Sequence, residues 1–130
     1  MLYLATSNGV ACVEREGDWR VTGRALPGQN ITSVIAREGL VLAGTRKGIF
    51  HSEGGSSPWH ETRSGPDIKH IRWMEWRADQ PGSALAGTEP AGIFYTSDGG
   101  QTWKACPEVA ELRDRFGWML PYSPEAGCVR

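Results

Sequence analysis

The sequence predicts an all-β fold: a partial β-propeller of about three four-stranded antiparallel blades, the first incomplete, with one short helix near the C-terminus. Three observations carry this prediction. A unit made of a small-apolar strand, Thr, a short turn, Gly, an apolar strand, a turn and Trp occurs three times. Its threonines (Thr6, Thr45, Thr88) stand 39 and 43 residues apart and its tryptophans (Trp19, Trp59, Trp103) 40 and 44 apart, which is the period of a propeller blade. The segment 96–103 closes the third unit and fits the pattern Ser/Thr-x-Asp-x-Gly-x-Thr-Trp.

Taken in chain order, the units occupy about 1–24, 31–64 and 68–106. The first opens directly on Leu2-Tyr3-Leu4-Ala5-Thr6, a second strand of a blade, so it lacks an innermost strand. In the second unit, 31–35 is expected as the innermost strand, Arg37-Glu38-Gly39 as a turn, and 40–44, 48–52 and 59–62 as the strands that follow. Period-two alternation there puts Ile31, Ser33 and Ile35 on one face and Thr32 and Val34 on the other. The third unit repeats the order with strands at 68–76, 83–87, 92–97 and 102–106. Residues 107–116 read as a helix: Pro107 suits the first turn, Glu108 and Glu111 lie early, Arg113 and Arg115 late, and Gly117 ends it. Val109, Leu112 and Phe116 would form its apolar face.

The repeat also explains its own residues. A carboxylate at Asp98, in a strand-to-strand turn, can accept backbone N–H groups of that turn. Gly99 and Gly100 supply positive φ, and the tryptophans Trp19, Trp59 and Trp103 are expected to cover the gap between neighbouring sheets. The second unit keeps only Ser52-Glu53-Gly54-Gly55-Ser56-Ser57-Pro58-Trp59 of this pattern, and the first little beyond Gly17 and Trp19.

Residues 2–106 resemble the Asp-box, or BNR, repeats of sialidase-like β-propellers, with one good box (Thr96, Asp98, Gly100, Thr102, Trp103) and two degenerate ones. The tail 118–130 resembles the link into a further blade of BNR-repeat proteins labelled glycosyl hydrolase-like. The resemblance implies a structural box on the blade rim. It does not carry over the catalytic set of true sialidases (an arginine triad, a Tyr–Glu pair and an acid Asp), which cannot be assembled here residue by residue.

A chain of 130 residues is short for a six- or seven-bladed ring. Read with the missing first strand, this leads us to expect the N-terminal part of a larger propeller or a ring completed by copies of the same chain. In either case apolar faces and a strand edge favour self-association or contact with further blades. Fourteen basic and 15 acidic residues, net charge −1, give no support for a nucleic-acid partner. No apolar run has membrane length, and residues 1–6 form a strand rather than a leader. Three scattered cysteines (Cys12, Cys106, Cys128) read as reduced thiols of a cytoplasmic protein. No metal and no cofactor is expected: no second His or Cys lies at ligand spacing from His70, and His51 and His60 fall on outer strands.

A ligand site is expected where the turns after each Thr gather. These turns are Ser7-Asn8, Arg46-Lys47 and Glu89-Pro90-Ala91, and the innermost strand of the third unit adds its charged residues. Arg46, Lys47, His70, Arg72 and Glu89 are the ligand-binding candidates. His70 and Arg72 would face the channel, leaving Ile71 and Trp73 for packing between blades. An Arg–Glu cluster suits carboxylate or sugar-hydroxyl recognition, and Trp73, Trp76 and Trp118 remain for stacking on a sugar. The function expected is a non-catalytic binding or scaffold module for carbohydrate or a small anion. The alternative is a sialidase-like glycoside hydrolase with part of its machinery in further blades, for which Glu75 and Glu89 are the nearest carboxylate pair.

Overall fold

The computed structural model describes residues 1–56, 58–62, 68 and 70–119. The tail 120–130, including Cys128, lies outside them. Three antiparallel sheets follow one another along the chain. The first contains β1 (Leu2–Thr6), β2 (Gly9–Glu16) and β3 (Asp18–Ala25) in that order. The second contains β4 (Ile31–Arg37), β5 (Leu40–Thr45), β6 (Ile49–Glu53) and β7 (His60–Glu61), and the third β8 (Ile71–Trp76), β9 (Ala84–Thr88), β10 (Gly92–Thr96) and β11 (Lys104–Ala105). One helix, α1 (Pro107–Phe116), follows. Sheet boundaries coincide with repeat boundaries, and the first sheet is the three-stranded one, with β1 at its edge. The fold is therefore the partial propeller that the repeat predicts.

The repeated Thr has a structural task that its recurrence alone does not disclose. Each caps the turn that follows its strand. Thr6 Oγ1 donates to the Gly9 carbonyl (2.7 Å), Thr45 Oγ1 to that of Gly48 (3.0 Å), and Thr88 Oγ1 to that of Pro90 (2.7 Å). In the second sheet the hydroxyl oxygen also accepts from the N–H groups of Lys47 and Gly48. Thr45 and Thr88 are buried; without Thr45 its turn would lose the acceptor of two N–H groups, and without Thr88 its turn would lose the donor to the Pro90 carbonyl.

The segment 96–103 is folded on itself. Asp98 Oδ1 accepts from Thr96 Oγ1 (2.8 Å) and from the Thr102 N–H (2.9 Å), while its Oδ2 accepts from Thr102 Oγ1 (2.5 Å). Gly99 and Gly100 have φ of +72° and +90°. Gly100 needs its bareness twice over, because a Cβ there would overlap the Leu42 side chain of the preceding sheet. Gly55 stands in the same relation to Tyr3. Trp103 is buried and donates from Nε1 to the Gly100 carbonyl (3.2 Å), as Trp59 does to that of Gly55 (3.0 Å).

Two apolar clusters join the sheets. One gathers Val10, Ile31 and Ala43 with Tyr3, Phe50 and Trp59 between the first and second sheets. The other gathers Leu42, Ile49, Ile71, Met74 and Trp103 between the second and third. Burial on this scale is worth roughly 1.5–3 kcal/mol per large side chain. Polar ties cross the same gaps: Arg37 Nη1 donates to the Arg77 carbonyl (2.7 Å), and Thr62 Oγ1 to that of Gly100 (2.7 Å).

Four expectations are corrected. The ladder between β4 and β5 skips Thr32, and that between β8 and β9 skips Arg72. Each skipped residue is a bulge that resets the alternation. Ile31 and Val34 consequently share the first inter-sheet cluster, while Ile35 packs on the second. Met74 and Trp76, not Trp73, accompany Ile71 between the sheets. Trp76 is thereby withdrawn from sugar stacking. Trp19 is 58% exposed because each such Trp packs against the preceding sheet and none lies on that side of β1–β3 among the described residues; it takes the Arg15 guanidinium instead, 5.9 Å from its ring centre. Finally, α1 is half-buried through Val109, Ala110 and Arg113, whereas Leu112 and Phe116 face solvent. Arg113 anchors that face by donating to the Ala91 carbonyl (3.1 Å).

Asp98→Ala should lower unfolding free energy by about 1–3 kcal/mol, the range for hydrogen bonds to a charged group, as read by urea denaturation. A melting curve unchanged from the wild type would contradict the structural role given to the box. Thr45→Val should cost about 1 kcal/mol by removing the acceptor of two part-buried N–H groups, and Thr45→Ser should recover most of it in the same assay.

Candidate functional site

Three of the sequence candidates meet at the start of β8. Its first turn of chain is held to the loop after β9, where the Glu89 N–H donates to the His70 carbonyl (2.9 Å). This backbone bond brings the side chains together. Glu89 Oε2 lies 3.5 Å from Arg72 Nη1 and 3.8 Å from His70 Nδ1. Arg72 is the bulge residue of β8, released from the ladder, which lets its side chain reach the turn. All three side chains are about four-fifths buried.

Arg46 comes from the equivalent turn of the second sheet and lies within electrostatic reach of His70. Lys47, its neighbour, is exposed, and its N–H is used in the Thr45 turn. The turn of the first sheet contributes differently: Asn8 Oδ1 accepts from the Gly28 N–H (2.6 Å) and fastens the chain as it leaves β3. The cluster thus unites two sheets, with Arg46 and Arg72 supplying charge that a single carboxylate, Glu89, partly offsets.

Burial lowers the His70 pKa, and the adjacent Arg72 and Arg46 push in the same direction against Glu89. At neutral pH the imidazole is uncharged, so its 3.8 Å approach to Glu89 is not an ion pair. The Arg72–Glu89 contact is wider than the roughly 2.7–2.9 Å of a tight charge-assisted bond. Arg72 is consequently held loosely, in a geometry that an incoming carboxylate can compete for.

The other carboxylate weighed for catalysis does not join. Glu75 is exposed and lies five residues along β8 from His70, about 16 Å at the rise of a strand. A glycosidase pair needs about 5–10 Å, so Glu75 and Glu89 are not such a pair. Among the described residues no group of three or more His, Cys, Asp or Glu is placed to hold a metal.

One juxtaposition escaped the sequence reading. His51 of β6 and His60 of β7 pair directly across the strands, with ring centres 5.6 Å apart. The signal was available in principle, since both lie next to the turn that closes the degenerate box, but the extra residue in that turn hid the register.

With the geometry in place, comparison with known proteins adds a likeness to a solved structure. The fold resembles that of a solved chain described as YCF48 bound to D1 peptide. The TM-score is 0.57 at 20% sequence identity, over 79% of this chain and 36% of that one. At this identity the likeness shows the β-propeller fold alone, and this chain spans little more than a third of its neighbour. No protein-family model and no curated protein matches the sequence.

The direction of the His70 shift sets a pH dependence. A folded-state pKa below the ordinary histidine value of about 6.5 means that the unfolded chain binds the proton more readily. Stability from this group is complete above that value and is lost as the pH falls through it towards the lowered folded pKa. His51 shifts in the same direction, through burial and then repulsion from His60. Denaturation midpoints should therefore fall from pH 7 to pH 5, and His70→Gln should flatten that slope. An equal slope in the variant would show that His70 is not held neutral.

Proposed function

We propose that this chain is a binding module without chemistry of its own, and that Arg46, Lys47, His70, Arg72 and Glu89 form its recognition site for a carboxylate-bearing partner. The observation that carries the reading is the loose Arg72–Glu89 contact beside Arg46. Arg72 meets the cluster's carboxylate, Glu89, and Arg46 adds a second guanidinium within electrostatic reach of His70; guanidinium forks recognise planar carboxylates through paired donors. Neutral His70 adds a hydrogen-bonding wall without a competing charge. The propeller neighbour supports the class of function, since that protein is described with a bound peptide. The Asp-box resemblance supports the same reading, because it implies a structural box rather than a catalytic one.

A peptide carboxylate, a sugar acid and a small organic anion share the chemistry that this cluster would take. Titration with a free-acid peptide, its amidated counterpart and a uronic acid separates these sources. Arg72→Ala and Arg46→Ala should each weaken the best ligand at least tenfold, about 1.4 kcal/mol. Lys47→Ala and His70→Gln should have smaller effects. Glu89→Gln should tighten binding by releasing Arg72 from its internal competitor. Wild-type affinity in both arginine variants would exclude the site.

Self-association belongs to the same proposal. Leu2, Leu4, Trp19 and Val21 are all more than two-fifths exposed on the first sheet, and contiguous surface of this kind favours contact with another chain. Light scattering over a dilution series should show mass rising with concentration, and Trp19→Ser should reduce the rise. An unchanged, monomeric mass throughout would remove this part of the reading.

A further inference from the structure

We propose that His51 and His60 form a two-imidazole site for a divalent transition metal of the Zn²⁺, Ni²⁺ or Cu²⁺ class. The pair lies at the outer rim of the second sheet and is separate from the Arg72 cluster. Its residues are directly opposed on neighbouring antiparallel strands, so the β6–β7 ladder fixes their spacing before any metal arrives. A metal–nitrogen bond of ~2.0–2.1 Å plus a ring radius of ~1.1 Å places each ring centre about 3.2 Å from a shared ion. The observed 5.6 Å between ring centres then corresponds to a ligand–metal–ligand angle of about 120°. Tetrahedral and five-coordinate sites both accept an angle near this.

The surroundings suit a cation. The two rings, with Glu53, Pro58 and Gln101, line a cavity of about 390 Å³, enough for an ion that keeps water on its remaining positions. Glu53 lies two residues from His51 on the same strand and hence on the same face. Its carboxylate and that of Asp98 both act on His51 electrostatically. Nδ1 of His51 is buried and has no hydrogen-bond partner among the described residues. Imidazole ligands select borderline metals over Mg²⁺ or Ca²⁺.

Zn²⁺ alone is the probe, added to the full chain in calorimetry and in thermal melting. One Zn²⁺ per chain and a rise in melting temperature are expected. His60→Gln should weaken binding at least tenfold while leaving the metal-free melting temperature unchanged, because His60 is exposed. His51→Gln should do the same if it folds, and His70→Gln should retain wild-type affinity. In ¹⁵N imidazole spectra the His51 and His60 signals should move together on Zn²⁺ addition while those of His70 stay. Zn²⁺ affinity in His60→Gln within threefold of the wild type, absence of Zn²⁺ binding, or shifts confined to His70 would each overturn the proposal. Because the carboxylate titrations use metal-free protein, failure here leaves the Arg72 site standing, and the converse also holds.

Discussion

The contact on which the rest of this structure depends is the seating of one sheet's turn on the strand of the sheet before it. Gly100 lies against Leu42, and Gly55 against Tyr3. Each glycine carbonyl then receives the indole N–H of a Trp three or four residues later. The contact combines three requirements: a positive φ, no Cβ, and a large ring that covers what the missing Cβ leaves open. A small shift at the glycine would pull Trp103 off the Leu42–Ile49 cluster and detach the third sheet from the second. Leu42→Ala would act from the other side of the same contact, at the roughly 2–5 kcal/mol typical of such truncations.

Seen from that contact, Asp98 is a brace for its own turn. Burial alone would raise the Asp98 pKa, but hydrogen bonds from Thr102, Thr96 and the turn's backbone outweigh it and leave the group lowered. A carboxylate kept ionised by its own turn has its acceptor sites taken. Stability from it is present above the ordinary aspartate pKa and is lost as the pH falls towards the lowered folded value. The second sheet shows that the brace is replaceable. There the positive-φ pair Gly54-Gly55 stands in the turn without an Asp, and the Trp59–Gly55 bond survives. What the second and third sheets share is the geometry of the glycine and the Trp, not the carboxylate.

Almost all of the strand layout was legible because the repeat imposes it. Eleven strands fall where Thr, Gly and Trp place them, and α1 begins at its proline and ends at Gly117, whose φ is +60°. Side-chain direction was less legible, for a specific reason. A bulge leaves no mark in a period-two reading, and one unpaired residue sends every later side chain to the opposite face. Thr32 and Arg72 occupy equivalent places in the two inner strands, so the same error entered both and moved Val34 and Trp73 to the wrong sides. The helix misled in another way: its largest apolar residues were assigned to the buried face, whereas Val109 and Ala110 are what fit against β10, with Arg113 bonding to the loop before it.

The bulges also connect fold to function. Ile71 and Met74, in register on β8, point into the gap between the second and third sheets and must suit its apolar lining. A bulged residue is exempt from that demand. Thr32 uses the freedom locally, donating to the Gly44 carbonyl (3.1 Å). Arg72 uses it to extend a charged group to Glu89 at the inner end of the turn, away from the apolar gap that Ile71 and Met74 fill. A charged pair on an inner strand is costly unless it is released from the packing in this way. Thr32→Arg would test the principle in the second sheet: if bulge geometry is what admits the charge, the variant should fold with near wild-type stability, whereas Ile31→Arg, one residue away and in register, should not.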